Sequence, residues 1–197
     1  MAVGVVVTVA VATGCSNGAQ PQSAPVQGAT VPTAAPTTTT TNPYAVPDQI
    51  DAAYVNRVLA GLDAIEGDIF REVRATKNLT PEIVHRVGAL YTNLTAAGVL
   101  VNVYQVGMAL DFSGYVDNPG NAVTTVTEML TTRSTCVYVR GLRDQKARAQ
   151  TPSAAHEVWI ALRPKPLDTL NPIGWGYQYN GSTVERQAPP TNPCDGF

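Results

Sequence analysis

Few residues in this chain could do chemistry. The carboxylates Asp63, Glu66 and Asp68 stand close together, and His85 and His156 are the two imidazoles among 197 residues. Clustered carboxylates can exchange protons or hold a cation. Their helical neighbourhood instead reads as a solvated helix end or break, and a glycosidase pair needs carboxylates facing across a cleft, which adjacency in sequence does not supply. Ser134 and Ser153 lie outside any GxSxG setting, His85 reads as a partly buried helix residue, and His156 just precedes a strand, so no hydrolytic triad is written here. Asp111 follows a long apolar helix, where a turn residue needs no catalytic role. Gly174-Trp175-Gly176 lacks the helix start that binds phosphate. No CxxC or HxxxH spacing occurs, so neither a metal nor a cofactor is expected.

The aromatic strands carry more information. Ile173, Trp175, Tyr177 and Tyr179 alternate with Gly174, Gly176 and Gln178, which predicts one bulky face and one nearly bare face. Over residues 157–163, Val158, Ile160 and Leu162 form an apolar face and leave Trp159 on the side of Glu157 and Arg163. Aromatic rings beside arginine are frequent interface anchors. Trp159, Arg163, Trp175 and Tyr177 are therefore the candidate binding residues, although core packing, or packing beneath the C-terminal tail, accounts for the same rings.

The elements that must position these residues follow from periodicity. Apolar residues at Ile50, Tyr54, Val58 and Leu62, continued by Ile65, Ile69, Phe70 and Val73, mark one helical face. Pro47 and Asp48 form its predicted start, and Gly61 and Gly67 predict a break near Glu66-Gly67-Asp68. A second helix opens at Thr80-Pro81-Glu82, with Thr80 as N-cap and Pro81 at the first helical position. A third, over residues 95–111, is apolar nearly all round and is expected to be buried. Strands are predicted over 123–130, 134–142, 155–163 and 173–179, with Asn180-Gly181 as a hairpin turn returning through Thr183, Val184 and Glu185. Helices first and antiparallel strands afterwards give an α+β domain with one core.

Charge divides the chain. Fifteen acidic and 13 basic side chains leave a formal charge of −2, and none of them precedes Asp48. That balance excludes a nucleic-acid binder, which needs surplus Lys and Arg against phosphate, and equally a polybasic membrane anchor. Residues 16–47 are built from Ser, Thr, Pro, Ala, Gln and Gly and cannot bury enough apolar surface to offset their ordering entropy. They read as a disordered tether reaching on the order of 30 Å by coil scaling.

Residues 2–13 are a run of Ala, Val, Gly and Thr, about a dozen residues where a spanning helix needs roughly 20. The run ends in Ala12-Thr13-Gly14-Cys15-Ser16, which resembles the lipobox of bacterial lipoproteins. That resemblance implies cleavage before Cys15 and its lipidation, hence residues 1–14 as signal peptide, 15–47 as lipidated tether and 48–197 as the domain. A signal peptide opens with Lys or Arg; the expectation is that basic residues precede Met1. With Cys15 assigned to lipid, Cys136 and Cys194 remain as a pair in a compartment where disulfides persist. Closing a loop of about 60 residues contributes about 4 kcal/mol in the chain-entropy model. Two free thiols are the competing reading. The lipobox resemblance implies a bacterial chain, in which the sequons at Asn78, Asn93 and Asn180 are incidental.

The order of elements resembles the nuclear-transport-factor-2-like cone, in which N-terminal helices pack across a strongly curved antiparallel sheet. No catalytic motif of that superfamily matches, so the resemblance implies fold alone. Tyr54-Val-Asn-Arg-Val-Leu-Ala-Gly-Leu-Asp63, Leu79-Thr-Pro81 and Cys136-Val-Tyr-Val139 are also similar to uncharacterised actinobacterial secreted proteins. The expectation is an extracytoplasmic lipoprotein, held to the bilayer through Cys15. Its expected role is non-enzymatic, the binding of a partner protein or a small apolar ligand. The alternative is a cone-fold hydrolase or isomerase with a pocket carboxylate.

Overall fold

Asp51 starts the first helix: its Oδ1 accepts the Tyr54 N–H at 2.7 Å, satisfying a backbone donor that has no carbonyl partner. In the computed structural model, which describes residues 42–150, 155–182 and 191–195, this helix, α1, runs unbroken over Ala52–Thr76. The start falls three residues later than predicted, and the predicted break is absent. Gly61 and Gly67 serve close approach instead. A Cβ on Gly61 would lie 2.5 Å from Ile173 Cδ1, and one on Gly67 2.0 Å from Asn121 Oδ1. Residues 42–47, assigned above to the tether, join the folded unit: Tyr44 packs on the core and its carbonyl accepts the Tyr54 hydroxyl at 2.9 Å.

Helix α2, Pro81–Leu90, opens as predicted, with Thr80 Oγ1 accepting the Ile83 N–H at 3.2 Å. Its C-terminal end is closed by Lys165, whose Nζ donates to the carbonyls of Gly88, Ala89 and Tyr91 at 3.1, 3.0 and 2.7 Å. Helix α3, Leu94–Ala109, is capped by Asn93. It is not buried as predicted: only Ala97 and Tyr104 are, whereas Val99, Val106 and Leu110 are 58%, 50% and 63% exposed. It touches α2, α1 and the last strand, and among the described residues these helices and strands reach only part of its circumference.

Four strands follow, β1 (Val123–Arg133), β2 (Cys136–Asp144), β3 (His156–Pro164) and β4 (Trp175–Ser182). They form an open antiparallel meander in sequence order. Asn180-Gly181 is no turn. Asn180 pairs with Ile160 and Gly181 with Trp159, so ladder hydrogen bonds to β3 override the local turn preference; residues 183–185 lie outside the described residues. Both edges are covered. Asn56 Oδ1 and Asp63 Oδ2 of α1 accept the Val126 and Thr124 N–H groups of β1 at 2.8 and 3.0 Å. At the other edge, Thr92 N–H donates to the Tyr177 carbonyl at 2.9 Å.

The inner face carries Val137, Val139, Val158, Ile160, Leu162, Trp175 and Tyr177 and packs against the apolar stripe of α1. The outer face carries a smaller cluster of Tyr138, Trp159, Ala161 and Tyr179 around Cys136 and Cys194, which form a disulfide with Cα atoms 5.6 Å apart. Tyr177 pairs with Leu162 and Tyr179 with Ala161, leaving Gln178 as a bulge. That extra residue puts Tyr177 inside and Tyr179 outside, which corrects the single bulky face predicted for β4. Among the described residues no helix is long and apolar enough to cross a membrane.

Candidate functional site

The apolar stripe of α1 passes through Leu59, Leu62, Ile69 and Val73, and the helical positions between them hold Asp63 and Glu66. Both carboxylates are buried, 1% and 5% exposed, contrary to the solvated helix end expected. Carboxylates in such a place need cationic partners, since an unpaired buried charge costs far more than a core can supply. Two guanidiniums provide them. Arg143 is in phase with Val137 and Val139 on β2 and therefore points inward; its Nη2 donates to Glu66 Oε2 at 2.6 Å and to Asp63 Oδ1 at 3.3 Å. Arg148, from the loop after β2, donates from Nη1 to Glu66 Oε1 at 2.9 Å and from Nε to the Gly120 carbonyl at 3.1 Å. The Tyr177 hydroxyl donates to Asp63 Oδ1 at 3.4 Å.

These contacts set the protonation states. Burial raises the Asp63 carboxyl above its ordinary value, and the nearby Arg143 does not fully offset it. Burial also acts on Glu66, but the Arg143 and Arg148 charges outweigh it and hold that carboxyl below the usual range. Glu66 is thus a fixed anion with both oxygens committed. Burial, then the Arg143 charge, lowers the His156 imidazole and favours its neutral form. Tyr104 is pushed well above the ordinary phenol range by burial, so it keeps its proton.

Beside this network, between α3 and the inner face of the sheet, lies a cavity of about 210 Å³. Glu66, Arg143 and Arg148 contribute its charged side, and Phe70, Val99 and Val103 its apolar side. His156 enters it from the first position of β3, in phase with the core residues Val158 and Ile160. Three buried polar atoms around it have no hydrogen-bond partner among the described residues: Tyr104 Oη, Arg143 Nε and Arg148 Nη2. Buried donors left this way are costly in a folded chain. The lining offers a small molecule a charged end and an apolar end.

None of the aromatic candidates lines this cavity. Trp175 is fully buried, donating its Nε1–H to the Tyr54 hydroxyl at 2.7 Å, and Tyr177 packs against Tyr91 with ring centroids 5.5 Å apart. Both are core residues, in keeping with the core packing that also accounted for these rings. Trp159 is half-buried against the cystine on the outer face, and Arg163 follows it on the same strand. Asp68 is exposed and paired with Arg71 at 2.5 Å, Asp111 is exposed and bonded to Lys77, and His85 is exposed. Cys15 and Ser153 lie outside the described residues.

Sequence reasoning missed Arg143, Arg148 and Tyr104. For Arg143 a signal existed: counting by two from Val137 through Val139 and Gly141 reaches it on the inward face. Arg148 comes from a loop and carried no such signal. Comparison with protein-family models, with curated proteins and with solved structures finds no match for this chain.

Proposed function

We propose that this chain is an exported, lipid-anchored binding protein whose α+β domain holds a small ligand in the cavity between α3 and the sheet, without turning it over. The observation that carries this reading is the cavity itself, which joins a charged side to an apolar side. Three helices ahead of an antiparallel meander, with a pocket between them, accord with the nuclear-transport-factor-2-like cone. The lipobox-like run ending at Cys15 and the Cys136–Cys194 disulfide accord with export. Of the partner protein or small apolar ligand expected from the sequence, the charged side of the cavity favours a small ligand with a polar end.

Two experiments test it. Labelling with an alkyne fatty acid should tag the protein, and Cys15→Ala should abolish the tag; equal labelling in the variant would remove the anchor. Native mass spectrometry of the full chain, extracted gently from membranes, should show a bound small molecule that Val103→Trp, filling the cavity from a half-exposed position, excludes. Identical retention by that variant would overturn the binding site.

One observation favours a second reading, a cone-fold enzyme: neutral His156, Tyr104 and the anion Glu66 share the cavity. Glu66 is a poor general acid or base because both oxygens are held by guanidiniums, which leaves His156 as the proton acceptor. Recovery of a chemically altered ligand, lost in His156→Gln with binding retained, would establish it.

A further inference from the structure

We propose that α3 is the contact helix of a symmetric dimer, in which a second copy of this chain lies antiparallel against its exposed apolar stripe. Val99, Val103, Val106 and Leu110 are all exposed and recur at spacings of four, three and four. At about 100° per residue such steps keep them within one narrow arc of the helix. That arc points away from Ala97 and Tyr104, the residues that α3 buries. Read from either end the spacing is the same. An antiparallel copy therefore sets Val99 opposite the partner's Leu110 and Val103 opposite the partner's Val106, so that all four side chains are matched in both copies, as an isologous contact requires.

Charge selects a second copy as the occupant. Near a two-fold axis each side chain approaches its own counterpart, so a charged residue there repels itself. None of the 16 residues of α3 is charged. The first charge beyond it, Asp111, is bonded to Lys77. A bilayer surface is the poorer match, because helices that lie in one carry Lys or Arg on their polar face, and α3 has neither. Shape agrees with a helix as the occupant. A groove of about 410 Å³ between α3 and the segment that follows it, lined by Val103, Val106, Leu110, Phe112 and Tyr115, receives side chains of the facing helix. Area sets the strength. At 16 residues α3 is about 24 Å long, and a contact confined to one such helix lies near the roughly 1,000 Å² at which specific interfaces begin. The dimer is therefore transient, and dilute protein is monomeric.

The test uses the full chain with Cys15→Ser, so that it stays unlipidated, in sedimentation equilibrium over about 5–500 µM. The protein should pass from monomer to dimer across that range. Val106→Glu should weaken association at least about tenfold, because two added negative charges then face an apolar contact and each other. Leu94→Glu, exposed on the same helix but off the stripe, should leave association unchanged. Val99→Lys and Leu110→Glu should each be monomeric alone and dimerise when mixed, since residue 99 of one copy faces residue 110 of the other. A monomer at every concentration, or a dimer that both Val106→Glu and Leu110→Glu leave intact, would overturn the proposal. A mixture that stays monomeric would overturn the antiparallel register. A monomer whose melting temperature falls in Val106→Glu would overturn it in favour of a segment of the same chain on this face. A monomer that binds phosphatidylglycerol vesicles, with binding lost in Val106→Glu, would overturn it in favour of lipid.

Discussion

Helix α1 carries charged side chains into the interior, and helix α3, which has no charged residue at all, carries valines out of it. On α1, Asp63 and Glu66 occupy the stripe that faces the sheet, and their burial is sustained because Arg143 and Arg148 arrive from the sheet side. On α3 the residues are apolar nearly all round, yet among the described residues it is chiefly α1, α2 and β4 of the named elements that touch it, and most of its valines stay exposed. Hydropathy ranks what a residue prefers; the available neighbours decide what it receives. The cavity lies between α3 and the sheet, with Glu66 of α1, Arg143 of β2 and Arg148 of the following loop on its charged side and Val99 and Val103 of α3 on its apolar side.

The largest expected effect breaks the α1 half of the contrast. Glu66→Ala leaves two buried guanidiniums without their shared anion and should destabilise by about 3–5 kcal/mol, read from urea unfolding; a loss below about 1 kcal/mol would mean that the network is not buried in solution. Reducing the Cys136–Cys194 bridge should cost about 2–4 kcal/mol, measured as a lower melting temperature with reductant. Two alkylatable thiols in unreduced protein would refute the bridge. Trp159→Ala, on the outer face, should cost less than the roughly 3–5 kcal/mol typical of a fully buried ring such as Trp175, because Trp159 is only partly buried.

A pH profile sharpens the α1 side further. The folded Glu66 carboxyl lies below its ordinary 4.5, so the native state binds fewer protons there than the unfolded chain. Its contribution is present above about pH 4.5 and is lost as pH falls through the folded value. Asp63 has the opposite sign: its folded value lies above 3.8, so its contribution is lost as pH rises from there. Glu66→Gln should therefore flatten the acid limb of the stability curve, whereas Asp63→Asn should steepen it. The smallest effect belongs to α3. Val106→Ser should change stability by no more than about 0.5 kcal/mol, and a loss of several kcal/mol would show that this face is covered in solution.

Much of the fold was legible in local sequence. Thr80 with Pro81 gave the start of α2, and the strand reading fell within a few residues of β1 to β4, because caps and period-two patterns act over a few residues at a time. The failures share one physical cause, the influence of distant neighbours. Gly61 and Gly67 read as a break until Ile173 and Asn121 were seen crossing there, and Asn180-Gly181 read as a turn until β3 offered it a ladder.

The site divides in the same way. The sequence alone determined that the described domain is helices before strands, that Cys136 and Cys194 are the pair left once Cys15 is set aside, and that Val158, Ile160 and Leu162 face inward. These follow from local periodicity and from cysteine parity, which need no three-dimensional information. Tertiary structure alone decided that Asp63 and Glu66 are buried, that Arg143 and Arg148 meet them from residues about 80 positions away, and that three donors beside them remain unpartnered. Burial of a charge is favourable only with its counter-charge in contact, and such contacts between distant residues are made by packing, which no local pattern records.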